Sequence, residues 1–237
     1  MSSPSQSSVT NRLLKRMSEE AFGRIRSKLE LRDLPIKHKI VEPGVRTEGL
    51  CFIENGLASI VSSNDDGEAI EVGHIGFEGV TGTNLLLSVS ETPTSTFMQV
   101  AGRGYMLSAD DLENLVEEDR STQKLLLTFV HAMQIQVSQT SLANGRYRMH
   151  ERLARWLLMC HDRVGDDELP LTHEFMALML GVRRSGVTDE LHVLEGLHAI
   201  KATRGRVHIQ DRQGLEKIAG LIYGLPEREY ERLLGGN

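Results

Sequence analysis

Cysteine is nearly absent from this 237-residue chain: Cys51 and Cys160 are the whole complement. Two thiols so far apart supply neither a disulfide framework nor a paired metal-binding motif, and a reducing cytoplasm suits them best. Long apolar runs are missing too. The best of them, Leu125 to Val130 (LLLTFV), falls far short of the roughly 18 residues that cross a bilayer. Met1 to Thr10 is polar rather than a secretory h-region, so a short disordered start and no membrane partner are expected. Cations are scarce over a long stretch: between Glu42 and Asp119 there are 15 Asp/Glu but only two Lys/Arg, Arg46 and Arg103. That part of the chain repels polyanions. Catalytic signatures are lacking as well. His173-Glu174 is half of a zinc-protease motif, but Ala177 stands where the second histidine is required, and neither Gly-x-Ser-x-Gly nor a Gly-Lys-Ser/Thr loop occurs. An enzyme is not expected.

What is present is an ordinary globular composition, 40% hydrophobic and 25% charged with a net charge of −6, long enough for one or two packed domains. Apolar residues at helical spacing predict a helix over Asn11 to Leu29. From Leu34 to Met106 glycines recur, Pro43-Gly44 and Asp66-Gly67 signal turns, and Ala58/Ile60 and Ile70/Val72 alternate around the second, which predicts short antiparallel strands in a sandwich or jelly roll. Ser108 to Glu118 reads as a connecting helix.

From Ser121 a long helix follows, in which Leu126, Val130, Met133, Val137 and Thr140 step by 4, 3, 4, 3. Such a stripe suits packing within one chain or pairing with a second copy, and two full heptads favour the copy. Asn144-Gly145 is expected to break this helix. The expected organisation is α+β, with an antiparallel β-domain over 11–120, a dimerisation helix over 121–145 and a mostly helical domain over 146–237. That last part reads as helices over Tyr147 to Val164, Thr172 to Leu180 and Arg184 to Leu197, a strand pair around Arg204-Gly205, and a final helix from about Gly214.

The stretch LGVRRSGV, Leu180 to Val187, interrupts a helical pattern with a glycine and two arginines. Thr172 is placed to cap a helix that Gly181 ends. Ala177, Gly181 and Val187 then supply a small residue at the helix crossing, a left-handed turn and a branched lock, the packing requirement of a helix-turn-helix. Its second helix would offer Arg183, Arg184, Ser185, Thr188, Asp189 and His192 to a DNA major groove, with Thr172 and His173 beside them. An arginine fork can pair bidentately with guanine or clamp a phosphate. Arg204-Gly205-Arg206 between short apolar strands reads as a β-wing, so Arg204 and Arg206 are candidate backbone contacts. Between Arg183 and His208 lie five Lys/Arg and three Asp/Glu, the reverse of the balance upstream.

A Gly-rich β-region, a long seam helix, and then LT…MLGVRRSGV…L..LEGLHAI…RGRVHIQDRQGLEKIA resembles the Crp/Fnr superfamily of bacterial transcription regulators over nearly the whole chain. The resemblance implies a cyclic-nucleotide-binding-like β-roll as sensor, a homodimer joined through the long helix, and a winged helix-turn-helix reading double-stranded DNA at a pseudo-palindromic site. RNA polymerase and an unidentified small-molecule effector are the further partners it allows. A ligand- or protein-binding module of the same fold that has lost DNA contact is the alternative. Arg183 stands where the family often has a capping Ser or Thr, Arg184 matches its base-contacting arginine, Ser185 replaces a frequent glutamate, and Glu190 falls where an apolar side chain usually packs.

The stretch matching the family's nucleotide cassette, Gly76 to Gly102, contains Glu78 but no Lys or Arg, with Thr94 at the arginine position. A cyclic phosphate would lack its cation there, so a response to cAMP is not expected. The iron–sulfur cluster of the redox-sensing branch needs four cysteines. His38, His74 and Cys51 leave a haem or metal arithmetically open, but isolated residues among strands are more often packed than ligating, and no cofactor is expected.

Overall fold

The computed structural model describes residues 3–235. Met1 and Ser2, part of the expected disordered start, lie outside the described residues. The rest of that start packs instead of fraying: Val9 is buried, and Gln6 Nε2 donates to the carbonyls of Leu14 at 2.9 Å and Met17 at 2.8 Å. The single helix expected from Asn11 is two, α1 (Arg12–Arg16) and α2 (Glu19–Ile25). The reason is local. Asn11 caps the first through its side-chain oxygen, and Ser18, accepting from Ala21 N, starts a second in place of a continued one.

Six antiparallel strands follow: β1 (Glu30–Leu34), β2 (Lys39–Val41), β3 (Gly49–Ser63), β4 (Ala69–Ile75), β5 (Val80–Thr81) and β6 (Ser95–Ser108). They run in the order β1-β6-β3-β4, with β2 also on β6 and β5 on β3. The hairpin expected at Asp66-Gly67 joins β3 to β4, pairing Ser63 with Ala69 and Ile60 with Gly73. Its turn closes where Asn64 Oδ1 accepts from Glu68 N at 2.9 Å. Ser108 caps α3 (Ala109–Glu118), which leads into α4 (Arg120–Arg146).

Asn144-Gly145 does not end α4. The helix continues through both and breaks at Tyr147 and Arg148, whose backbones are extended, before α5 (Met149–Val164). Gly145 tolerates helical backbone at a cost of about 1 kcal/mol relative to alanine, and the helix carries it. Then come β7 (Glu168–Leu169), α6 (His173–Leu180), α7 (Arg184–Gly196), β8 (Ile200–Thr203), β9 (Arg206–Ile209), α8 (Arg212–Ala219) and α9 (Leu225–Tyr230), ending in a π turn over Glu231–Gly235. No helix among the described residues is long and apolar enough to cross a membrane.

Two apolar cores result. The first joins α1, α2, the roll and one face of α4. The second holds α5 to α8 and the strands of the wing, and it also takes in Leu57 and Val61 of β3. The C-terminal domain is thus packed onto the roll. This decides the stripe on α4. Leu126 and Met133 are 0% and 9% exposed, taken up by the first core, so they have no surface for a second chain in this arrangement. Val130, Val137 and Thr140 keep part of theirs. On the open side runs a second series with the same 4, 3 rhythm, Leu127, Val130, Gln134, Val137 and Ser141. Leu126→Ala should therefore destabilise the isolated chain by about 2–5 kcal/mol through loss of core volume. Urea unfolding measures this, and a cost below about 1 kcal/mol would assign Leu126 to an intermolecular seam instead.

Candidate nucleic-acid interface

Thr172 accepts from Phe175 N at 3.1 Å and begins α6. Gly181 ends it at φ +63°, and Val182 N reaches back to Ala177 O at 3.0 Å, closing the helix in the manner of a Schellman turn. A side chain at position 181 would be strained by the backbone and would lie 2.8 Å from Ile70 Cδ1 of the roll. Ala177 and Val187 are buried at the crossing of α6 and α7. The glycine, the small residue and the branched residue are brought together.

At the start of α7, Arg183 occupies the capping position without a side-chain cap. The first backbone N–H groups of α7 therefore have no side-chain acceptor there, which together with the helix dipole suits an anion. Arg184, Ser185, Thr188, Asp189 and His192 fall within one outward arc of the helix. Arg183, Arg184, Ser185, Asp189 and His192 are exposed. Thr188 is half-buried: His173 Nδ1 lies 3.0 Å from its hydroxyl, which also donates to Arg184 O at 3.2 Å. His173 and Thr188 thus tie the first turns of the two helices together. His192 pairs with Glu195 at 3.3 Å.

Strands β7, β9 and β8 form the wing sheet. Gly205 turns between β8 and β9 at φ +77°. Arg204 is exposed at the tip, whereas Arg206 is ion-paired with Glu168 of β7 and presents a partly neutralised charge. The unusual Glu190 is neither a core residue nor idle, because His150 Nδ1 of α5 lies 3.6 Å from its carboxylate.

The helix-turn-helix is held by groups that sequence reasoning missed. Arg152 of α5 donates from Nη2 to Leu180 O at 2.6 Å and from Nε to Asn144 Oδ1 at 3.0 Å, joining the end of α6 to the end of α4. Burial pushes its guanidinium below its ordinary value. Arg155 donates to Ile222 O at 2.9 Å and to Thr140 Oγ1 at 3.3 Å, so the expected seam residue Thr140 also serves inside the chain. Trp156 Nε1 donates to Glu71 Oε1 of β4 at 2.7 Å, and His74 Nε2 sits 2.5 Å from the same oxygen. Arg152 and Leu180 stand 28 residues apart, Arg155 and Ile222 67, and Trp156 and Glu71 85, so no spacing signal marks these pairs.

In the β-roll, Glu78 is engaged by Arg163 of α5 at 2.6 Å, and the Thr94 hydroxyl is 3.0 Å from that of Thr92. His38 is exposed on a turn, while His74 and Cys51 are buried. Burial pushes the Cys51 thiol up to about 12. Among the described residues no group of three or more His, Cys, Asp or Glu is arranged to hold a metal ion.

With this geometry in place, comparison with known families is direct. The profile of the Crp-like helix-turn-helix domain matches residues 151–218. The chain carries a Crp-like helix-turn-helix domain. Solved structures extend the likeness to the whole Crp/Fnr fold. A protein assigned to the Crp/Fnr family of Eubacterium rectale superposes with a TM-score of 0.70 at 17% identity, covering 89% of this chain and 98% of that one. FixK2 from Bradyrhizobium japonicum gives 0.70 at 16%, over 81% and 98%. A CRP-family transcriptional regulator from Thermus thermophilus gives 0.67 at 20%, over 80% and 96%. No curated protein is significantly similar in sequence. Within this Crp-like domain, Arg152→Ala should remove a charged hydrogen bond to the α6 terminus and cost about 1.5–3 kcal/mol. Thermal or urea unfolding reads that loss, and wild-type stability would show that Arg152 does not hold the turn.

Proposed function

We propose that the chain is a transcription regulator that binds duplex DNA sequence-specifically as a homodimer at a pseudo-palindromic site and does not respond to cAMP. The observation that carries this reading is the exposed arc on α7, headed by Arg183 and Arg184 at an N-terminus without a side-chain cap, on a helix-turn-helix of the Crp-like family. Arg184 reads a base edge, Arg183 and the first N–H groups of α7 hold phosphate, Ser185, Asp189 and His192 line the groove, and Arg204 meets the backbone from the wing. Thr172, His173 and Thr188 position the helix. Arg206 adds a backbone contact only if it leaves Glu168.

Two copies would pair along the open side of α4 through Val130 and Val137, with Leu127 beside them. That pairing would set the recognition helices about one DNA turn, roughly 10 base pairs, apart. The absence of response to cAMP rests on a cassette without a cation and on Glu78 already paired with Arg163. Any effector would act by shifting the population of dimer geometries.

Selection from randomised duplexes should return a two-fold symmetric site whose affinity falls steeply with salt. Arg184→Ala should relax discrimination at one base pair of each half-site, a loss of about 1–3 kcal/mol, whereas Arg204→Ala should weaken all sequences alike. Equal binding by wild type and the Arg184 variant would remove that role from Arg184. Val130→Lys should place a charge at the seam and turn the dimer into monomers in sedimentation, while the fold of each chain persists. An unchanged sedimentation coefficient would move the interface elsewhere.

A further inference from the structure

One cavity in this molecule is walled by parts of the chain that are distant in sequence. About 300 Å³ in volume, it lies between the Phe77-Glu78 turn of the roll, the Phe129 to Gln136 face of α4, the end of α5 at Asp162-Arg163, and the C-terminal segment from Tyr223 to Glu231. That last segment doubles back beyond the winged helix-turn-helix. Tyr230 donates to Glu78 O at 2.6 Å, Glu231 pairs with Arg12, and Leu234 is buried in the roll's core. The cavity therefore touches the sensor, the long helix and the DNA-binding domain at once.

Its lining chooses a class of ligand. Phe129 and Met133 make an apolar floor. Of the charged groups around it, two are guanidinium and four are carboxylate, and both cations are already matched, Arg163 with Glu78 and Arg12 with Glu231. Burial works against the Arg163 charge, yet Glu78, Glu227 and Asp162 outweigh it and hold that group above its ordinary value. Asp162 is occupied by Arg212 and by the Tyr223 hydroxyl, at 2.6 and 2.7 Å. Glu227 is the remaining acid. Among the described residues its side chain makes one hydrogen bond, accepting from Gly224 N at 3.1 Å, and no ion pair. An anion entering here would find no unmatched cation. A cation would find Glu227, which makes no ion pair among the described residues although its charge acts on Arg163 and Arg155 from farther off.

The chain also shows how this wall treats an organic cation. The Arg12 guanidinium lies 5.3 Å from the Phe77 ring centroid and 5.8 Å from that of Tyr230, beside Glu231. Aromatic faces with an adjacent carboxylate are a general means of holding ammonium and guanidinium groups. We propose that this interdomain cavity is a binding site for a small organic amine with an apolar body, its ammonium on Glu227 and its body over Phe129 and Met133. Because the walls belong to both domains, an occupant stabilises the present orientation of the Crp-like domain on the roll. This consequence rests on the regulator reading, but ligand binding itself does not.

The test uses the full chain without DNA, so that it stands apart from duplex recognition. Titration calorimetry and thermal unfolding compare 2-phenylethylamine with its neutral and anionic counterparts, 2-phenylethanol and 3-phenylpropionate. The amine should bind saturably and raise the melting temperature, the alcohol more weakly, and the acid not at all. Glu227→Gln keeps an acceptor for Gly224 N and should reduce amine affinity by about tenfold or more, the scale of one lost charged hydrogen bond. Ala132→Leu, which fills the floor, should block the amine without needing Glu227. Equal binding of all three probes, no saturable amine binding, or full affinity in the Glu227 variant would each overturn the proposal. A duplex gel shift with and without amine then tests the coupling separately.

Discussion

A carboxylate buried between two domains organises this molecule. Glu71, on the edge strand β4 of the roll, is 4% exposed, accepting from Trp156 Nε1 of α5 and lying against His74 of its own strand. The match is partial: Glu71 Oε2 and both ring nitrogens of His74 are buried without a well-formed hydrogen bond, so removing the Trp156 donor would strand the carboxylate further from any partner. Around that contact the rest follows. Gln136 of α4 accepts from His74 N at 2.6 Å, and Cys160 and Gln99 fill the adjoining space, with Gln99 Nε2 donating to Cys160 Sγ at 3.6 Å. Roll, long helix and C-terminal domain are thereby joined at one point, to which α5 contributes Trp156 and Cys160 and α4 contributes Gln136.

Once α5 is seated, its charged residues distribute the constraint. Arg152 reaches the end of α6 and the end of α4, Arg155 reaches Thr140 and the C-terminal segment, and Arg163 reaches Glu78 across the roll. Helix α7 is thus not a free appendage. Its N-terminus is placed by backbone at Gly181, which sits against Ile70 of the roll. The roll and the start of α7 are joined through the packing of the Ile70 side chain against Gly181.

Charge is divided unevenly between the two domains. The roll and its connecting helix carry a large excess of carboxylates, whereas the exposed arc of α7 and the wing tip present Arg183, Arg184 and Arg204. Where the two domains touch, like charges are avoided by pairing, as with Arg163 on Glu78. An acidic protein can present a cationic tip because the tip is local and its field is short-ranged at physiological salt.

Periodicity and turn chemistry by themselves determined the order of the elements, the β hairpin at Asp66-Gly67, the helix-turn-helix at Gly181 and the side of α7 that faces outward, because each depends on residues within a few positions of one another. Local chemistry also divides the first helix, through the N-capping oxygens of Asn11 and Ser18. It was misleading at Gly145, where a weak breaker is overridden by helix on both sides. Only the tertiary structure decided which copy of the 4, 3 rhythm on α4 is core and which is open, since adjacent stripes on one helix differ by less than a third of a turn and the roll chooses between them. The same holds for Arg152, Glu71 and the cavity at the C-terminal segment. Their roles arise from contacts across tens of residues, and no local pattern encodes which distant surface a buried polar group will meet.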